Sequence, residues 1–185
     1  MAARKPTEEI DLPGLLKTVR LDPKYKLFKN IVERAEAALD IEKDRQEVFA
    51  THAARDARKL YTGKKYHPSV IQDAQANDLQ ARSRMVEIRM KAAFHVEIVE
   101  KSMGAISDHV ITEYYQEIRK YSNEAQRRAV VKRIQKIAQN LVTDGKGLLE
   151  LCDQFIKDID AASYHLSSIS NLAQQLHDIK KTRVI

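Results

Sequence analysis

Six histidines, one cysteine and scattered Asp, Glu and Ser residues are the groups in this chain that chemistry would recruit. Helical bundles hold di-iron centres with inward-facing Glu-x-x-His pairs, because residues three apart share a helix face. None of His52, His67, His95, His109, His165 and His177 has a Glu three residues before it, so no such metal centre is expected. Gly145, Lys146 and Gly147 set a lysine between glycines, but the GxxxxGK[ST] spacing that wraps phosphates is missing. That segment follows a helical pattern instead of a strand and reads as a turn. Asp158 and Asp160 project from different faces of a helix and do not share a proton. Ser167, Ser168 and Ser170 have no recognisable base partner, and they read as a polar or tightly packed helix face. The lone Cys152 forms no intramolecular disulfide and no cysteine zinc site, and it reads as a small core residue. The expectation is a chain with no catalytic, cofactor or metal site and no small-molecule substrate.

Charge leaves binding open. The net charge is +6, which permits attraction to an acidic partner without establishing it. Arg119, Lys120, Arg127, Arg128, Lys132, Arg133 and Lys136 stand against Glu124 alone. The next segment is acidic, with Asp144, Glu150, Asp153, Asp158 and Asp160 against Lys146 and Lys157, and the two segments would neutralise one another if packed together. Single-stranded nucleic acid is a second possible partner. Arg55, Arg58, Lys59, Lys64 and Lys65 lie close to Tyr61 and Tyr66, and single-strand binders combine cations with stacking aromatics. Arg127, Arg128, Lys132 and Arg133 add a second basic run, and Arg82, Arg84, Arg89 and Lys91 a third. A solvated, mixed-charge helix face gives the same pattern, and no helix-turn-helix, zinc finger or RNP motif is evident.

The stretch Leu60, Tyr61, Thr62, Gly63, Lys64 follows a charged helix and precedes a polar segment and a second long helix. Over about residues 24–110 this arrangement resembles the phage recombination mediator proteins. That family is small and helical, oligomerises, and loads recombinase onto single-stranded DNA. The resemblance implies that Tyr61, Lys64 and Lys65 lie at a DNA-facing turn. Residues 123–180, which carry the strongest pattern in the chain, lie outside it.

These residues must be positioned by helices. Aromatics make up only 6% of the chain and Trp is absent, whereas Ala, Lys, Glu, Gln, Arg and Ile abound, as helices with one buried stripe require. All four prolines fall within the first 68 residues, so the breaks they impose are early ones. Residues 1–22 read as an N-terminal arm with an apolar side of Leu12, Leu15, Leu16, Val19 and Leu21, docking in cis or in trans. Asp22 and Pro23 form an N-cap and first-position proline for a helix over about 23–61. Further helices are predicted over about 69–121, 123–143 and 147–180. The last carries Leu148, Cys152, Phe155, Ile159, Ala162, Leu166, Ile169, Ala173 and Leu176, alternating four and three apart in a coiled-coil-like seam. With a turn at residues 144–147, the last two helices should form an antiparallel hairpin.

The fold class expected is therefore all-α: a long-helix bundle over residues 23–185 with a C-terminal antiparallel hairpin and an N-terminal arm. Met1–Ile10 is polar and charged and predicts no signal peptide, and no apolar run approaches the ~20 residues that span a bilayer. The chain reads as cytoplasmic, or as part of an assembly formed there. The function expected is that of a non-enzymatic assembly or adaptor protein, self-associating or docking on partners through amphipathic helices, with a phage structural or accessory component included in that class. A single-strand-binding recombination accessory protein is the alternative, and an enzyme with an unrecognised site is the third class.

Overall fold

A computed structural model describes residues 12–56, 68–121 and 123–182. Those residues are helical with no strand: α1 Leu12–Leu21, α2 Pro23–Ala38, α3 Ile41–Asp56, α4 Pro68–Glu113, α5 Tyr115–Arg119, α6 Glu124–Ile134 and α7 Lys136–Thr182. None of these helices is long and apolar enough to cross a membrane. The chain forms two compact units. The first holds α1, α2, α4 from Phe94, α5, α6 and the start of α7 to Gly145. The second holds α3, α4 up to Ala93 and α7 from Lys146.

The described part of the arm docks in cis. Leu15 and Val19 are buried, and α1 contacts α2 and α6. Asp22 then starts α2 as its sequence predicts, with Oδ1 accepting from the Lys24 amide at 2.7 Å. Its other oxygen accepts from Tyr114 Oη and bonds His109 Nε2, each at 2.9 Å, tying the cap to the end of α4. Burial works to raise the Asp22 pKa, but it is outweighed. The bonds from His109, Tyr114 and the Lys24 amide, with the charge of His109, hold the carboxyl at about 2. Burial, and then the bond to Asp22, push the Tyr114 phenol up to about 12. A folded-state pKa below the ordinary 3.8 gives stability that is complete above about pH 4 and is lost as pH falls toward 2. Asp22→Asn should remove about 1–2 kcal/mol of this acid dependence. Thermal melts at about pH 5 and about pH 2.5 check it; identical pH slopes in parent and variant would refute the assignment.

The continuous helix expected over residues 23–61 is broken. Leu39 takes an extended conformation (φ −111°, ψ 92°) and is buried, and Asp40 Oδ1 accepts from the Lys43 amide at 3.1 Å to cap α3. The first turn of this new helix has no apolar side chain over residues 42–46. Residues 57–61 of the expected helix lie outside the described residues. The helix expected over 69–121 stops at Glu113, and α5 follows after Tyr114 (φ −104°, ψ 28°).

The expected turn at residues 144–147, and with it the hairpin of helices 123–143 and 147–180, does not form. The helix α7 runs unbroken through both glycines, and the break falls at Gln135 instead. Gln135 is buried and donates from Nε2 to the Met103 carbonyl at 2.7 Å. The physical reason is close packing. Gly145 occupies a seam position between Leu141 and Leu148, and a Cβ there would lie 2.4 Å from Val96 Cγ2. The buried four–three ladder therefore extends backward from Leu148 through Gly145 and Leu141 to Ala138.

In the second unit α4 and α7 run antiparallel. Arg89 bonds Asp153, Arg82 Nε donates to Asp160 Oδ1 at 2.7 Å, and Gln75 Nε2 donates to Ser167 Oγ at 3.2 Å. Both partners step by seven residues, so the three rungs share one register. Such half-exposed pairs are individually weak, but a one-heptad slide would set Arg89 against Lys146 in one direction and Arg82 against Ser167 in the other. The rungs act on register more than on stability. Inside them lie Ile71, Ala74, Met85, Ile88, Leu148, Ile159 and Leu166.

The helix α3 joins this pair through a mostly polar face. Asp44 accepts from Lys91 Nζ at 3.0 Å, Glu47 pairs with Arg84, and Arg55 Nε donates to Asp78 Oδ1 at 2.8 Å. Val48 is its one large fully buried side chain among the described residues. His52 stacks on Phe155 with ring centroids 4.1 Å apart.

Candidate docking groove

The basic stretch from Arg119 to Lys136 forms the edge of a groove in the first unit. Three local features build it. Near the end of α4, Thr112 Oγ1 donates back to the Asp108 carbonyl at 2.8 Å, and Tyr114, held by Asp22, leaves helical geometry. The short α5 carries the chain to buried Tyr121. Asn123 then caps α6, its side chain accepting from the Gln126 amide at 2.8 Å, while Arg127 Nε donates to the Tyr121 carbonyl at 3.1 Å across the turn.

The result is a cavity of about 390 Å³ between the end of α4, α5 and α6. Its floor is Ile118 and Val131, both buried, and its walls are the half-exposed Ile111 and Tyr115. Arg119, Arg127, Arg128 and Lys132 rim it, with Glu124 as the one acid among its described lining residues. The Arg119 guanidinium stands 6.0 Å from the Tyr115 ring centroid, within cation–π range. Arg128 pairs with Glu124 one turn earlier, both well exposed.

Other candidates fall elsewhere. In the seam, Leu148, Cys152, Ile159 and Leu166 are buried, and Phe155, Ala162 and Ile169 are partly buried within their own unit. The side chains of Ala173 and Leu176 lie outside the described set. Arg55 is spent inside the bundle: its side chain is 9% exposed, it pairs with Asp78, and it reaches the Asp158 carbonyl at 3.4 Å. Arg58, Lys59, Tyr61, Lys64, Lys65 and Tyr66 lie outside the described residues. Of the remaining nucleic-acid candidates, Arg127, Arg128 and Lys132 line the groove and Arg133 is exposed on α6. Asp153 and Asp160, two of the acids that would neutralise this stretch if packed on it, pair with Arg89 and Arg82.

Several of the residues weighed for chemistry make structural contacts. Burial, and then the charge of Asp153, push the Cys152 thiol up to about 11, away from the reactive thiolate. Ser167 and Ser168 bond the carbonyls of Ser163 and Tyr164 one turn back. Among the described residues no group of three His, Cys, Asp or Glu side chains is placed to hold a metal ion. The chain matches no protein family, no curated protein and no solved structure.

Sequence reasoning found the groove's cations and missed its floor. A signal was present in the apolar doublets Val110–Ile111, Tyr114–Tyr115 and Val130–Val131. Consecutive residues on a helix point about 100° apart, so each doublet serves two faces. Val110 and Val130 enter the core, while Ile111 and Tyr115 face the groove.

Proposed function

We propose that this chain is a non-enzymatic helical docking protein that takes up an acidic polypeptide in the α4–α5–α6 groove. The observation that carries the reading is an aliphatic floor beneath four cationic side chains. Apolar surface drives association and the rim selects the partner's charge. The α7 seam gives less support to self-assembly, because its described large residues are filled from within their own unit.

The rim's part in this reading is tested by fluorescence anisotropy with a labelled short poly-L-glutamate chain, which carries charge and no apolar side chain. Arg128→Glu/Lys132→Glu should weaken binding at least about tenfold. Lys17→Glu/Lys26→Glu, the same charge change at exposed positions on α1 and α2, should change it less than about threefold. Equal losses in both variants would mean bulk charge attraction and would overturn the reading. A labelled oligothymidylate run in parallel tests the nucleic-acid alternative. Tighter binding of that strand, abolished by Lys64→Glu/Lys65→Glu, would replace the present reading with the recombination-accessory one.

A further inference from the structure

We propose that the groove's occupant is an acidic amphipathic α-helix, seated by aliphatic side chains one turn apart and flanked by carboxylates. This rests on the reading of the groove as a polypeptide-docking site and adds the form of what docks. A cavity of about 390 Å³ takes side chains and not a helix backbone. The docking segment must therefore lie across the mouth and insert knobs from one face, which i and i+4 residues of a helix supply. Ile111 and Tyr115, 46% and 50% exposed, flank the Tyr114 break and both line the groove.

Charge complementarity selects acidic flanks. Arg128 is held by Glu124 in a pair whose side chains are 75% and 72% exposed, too solvated to bind the guanidinium firmly. It can exchange that partner for an incoming carboxylate. Arg119 stands at the rim 6.0 Å from the Tyr115 ring centroid, and a guanidinium there can meet a carboxylate bidentately. The lining holds a single aromatic above an aliphatic floor of Ile118 and Val131, a better seat for apolar side chains than for stacked bases.

Two labelled peptides of identical composition test this with the full-length protein: a helical Leu/Glu peptide with leucines at i, i+4 and i+7, and a scramble that disperses them. The amphipathic peptide should bind at least about tenfold tighter than the scramble at physiological salt. Ile111→Ser, an exposed substitution compatible with folding, should bring binding of the amphipathic peptide down to that of the scramble. Equal binding of both peptides, indifferent to Ile111→Ser, overturns the helix proposal while the acidic-polypeptide reading stands. Failure of poly-L-glutamate and both peptides overturns the two together. A salt-dependent oligothymidylate complex that displaces the amphipathic peptide overturns the proposal in favour of nucleic acid.

Discussion

Replacing Asp78 by alanine is expected to lower the stability of the α3–α4–α7 unit by about 3–5 kcal/mol. Asp78 sits on the buried face of α4 between Ala74 and Ala81 and is 1% exposed on its side chain. Its partner Arg55 comes from α3 and reaches the Asp158 carbonyl of α7, so one guanidinium touches all three helices. Removing the carboxylate leaves a buried cation without that compensation, which is the expensive way to break such a pair. Arg55→Met/Asp78→Leu removes both charges and fills similar volume, and it should recover most of the loss. Urea unfolding of the parent, the single variant and the double variant checks both statements. A single variant within about 1 kcal/mol of the parent would show that the pair is solvated and not structural. Stability is only half of what the pair does. The pair specifies the α3 register together with Asp44–Lys91 and Glu47–Arg84, and the double variant should loosen that alignment, visible as broadened amide resonances.

The second large effect lies at Gly145, where Gly145→Leu should lower stability by about 3 kcal/mol. A single Cβ there would already stand 2.4 Å from Val96 Cγ2, with Leu39 Cδ2 at 4.0 Å behind it. Valine is stiff at χ1 and cannot swing aside as a long side chain would. Overpacking then exceeds the intrinsic helix gain of about 1 kcal/mol that replacing glycine brings. Gly147, two residues on, has nothing within 4 Å of a built Cβ, so Gly147→Ala should instead raise stability by about 0.5–1 kcal/mol. Opposite signs at the two positions distinguish close packing from helix propensity. A double-mutant cycle of Gly145→Ala with Val96→Ala should give a favourable coupling, and additive effects would contradict the contact.

These two sites mark the border between local and tertiary information in this chain. The all-α class, the Asp22–Pro23 helix start and the four–three seam from Leu148 to Ile169 were legible because each depends on neighbours within a turn or two. The turn at 144–147 was misread because glycine is permitted at a helix end and equally at a tight helix crossing; only Val96, distant in sequence, distinguishes them. The break at Leu39 has a local cap in Asp40, whereas at Gln135 the side chain is held by the Met103 carbonyl far along the chain.

The candidate site divides the same way. The cations Arg119, Arg127, Arg128 and Lys132 are visible as a charge run, and composition alone raises the question of an acidic partner. Whether that run met the acids of residues 144–160 or remained exposed was a matter of register: Asp153 and Asp160 pair with Arg89 and Arg82. The groove floor also waited on the fold, since an apolar doublet tells that two faces are covered without telling which one a neighbour leaves open. Sequence by itself determined the helices, their seam and their charge, because these follow from short-range periodicity and side-chain chemistry. Tertiary structure alone decided that α7 runs through Gly145, which charges are spent inside and which apolar residues are left facing a groove, because those outcomes depend on contacts between residues tens of positions apart.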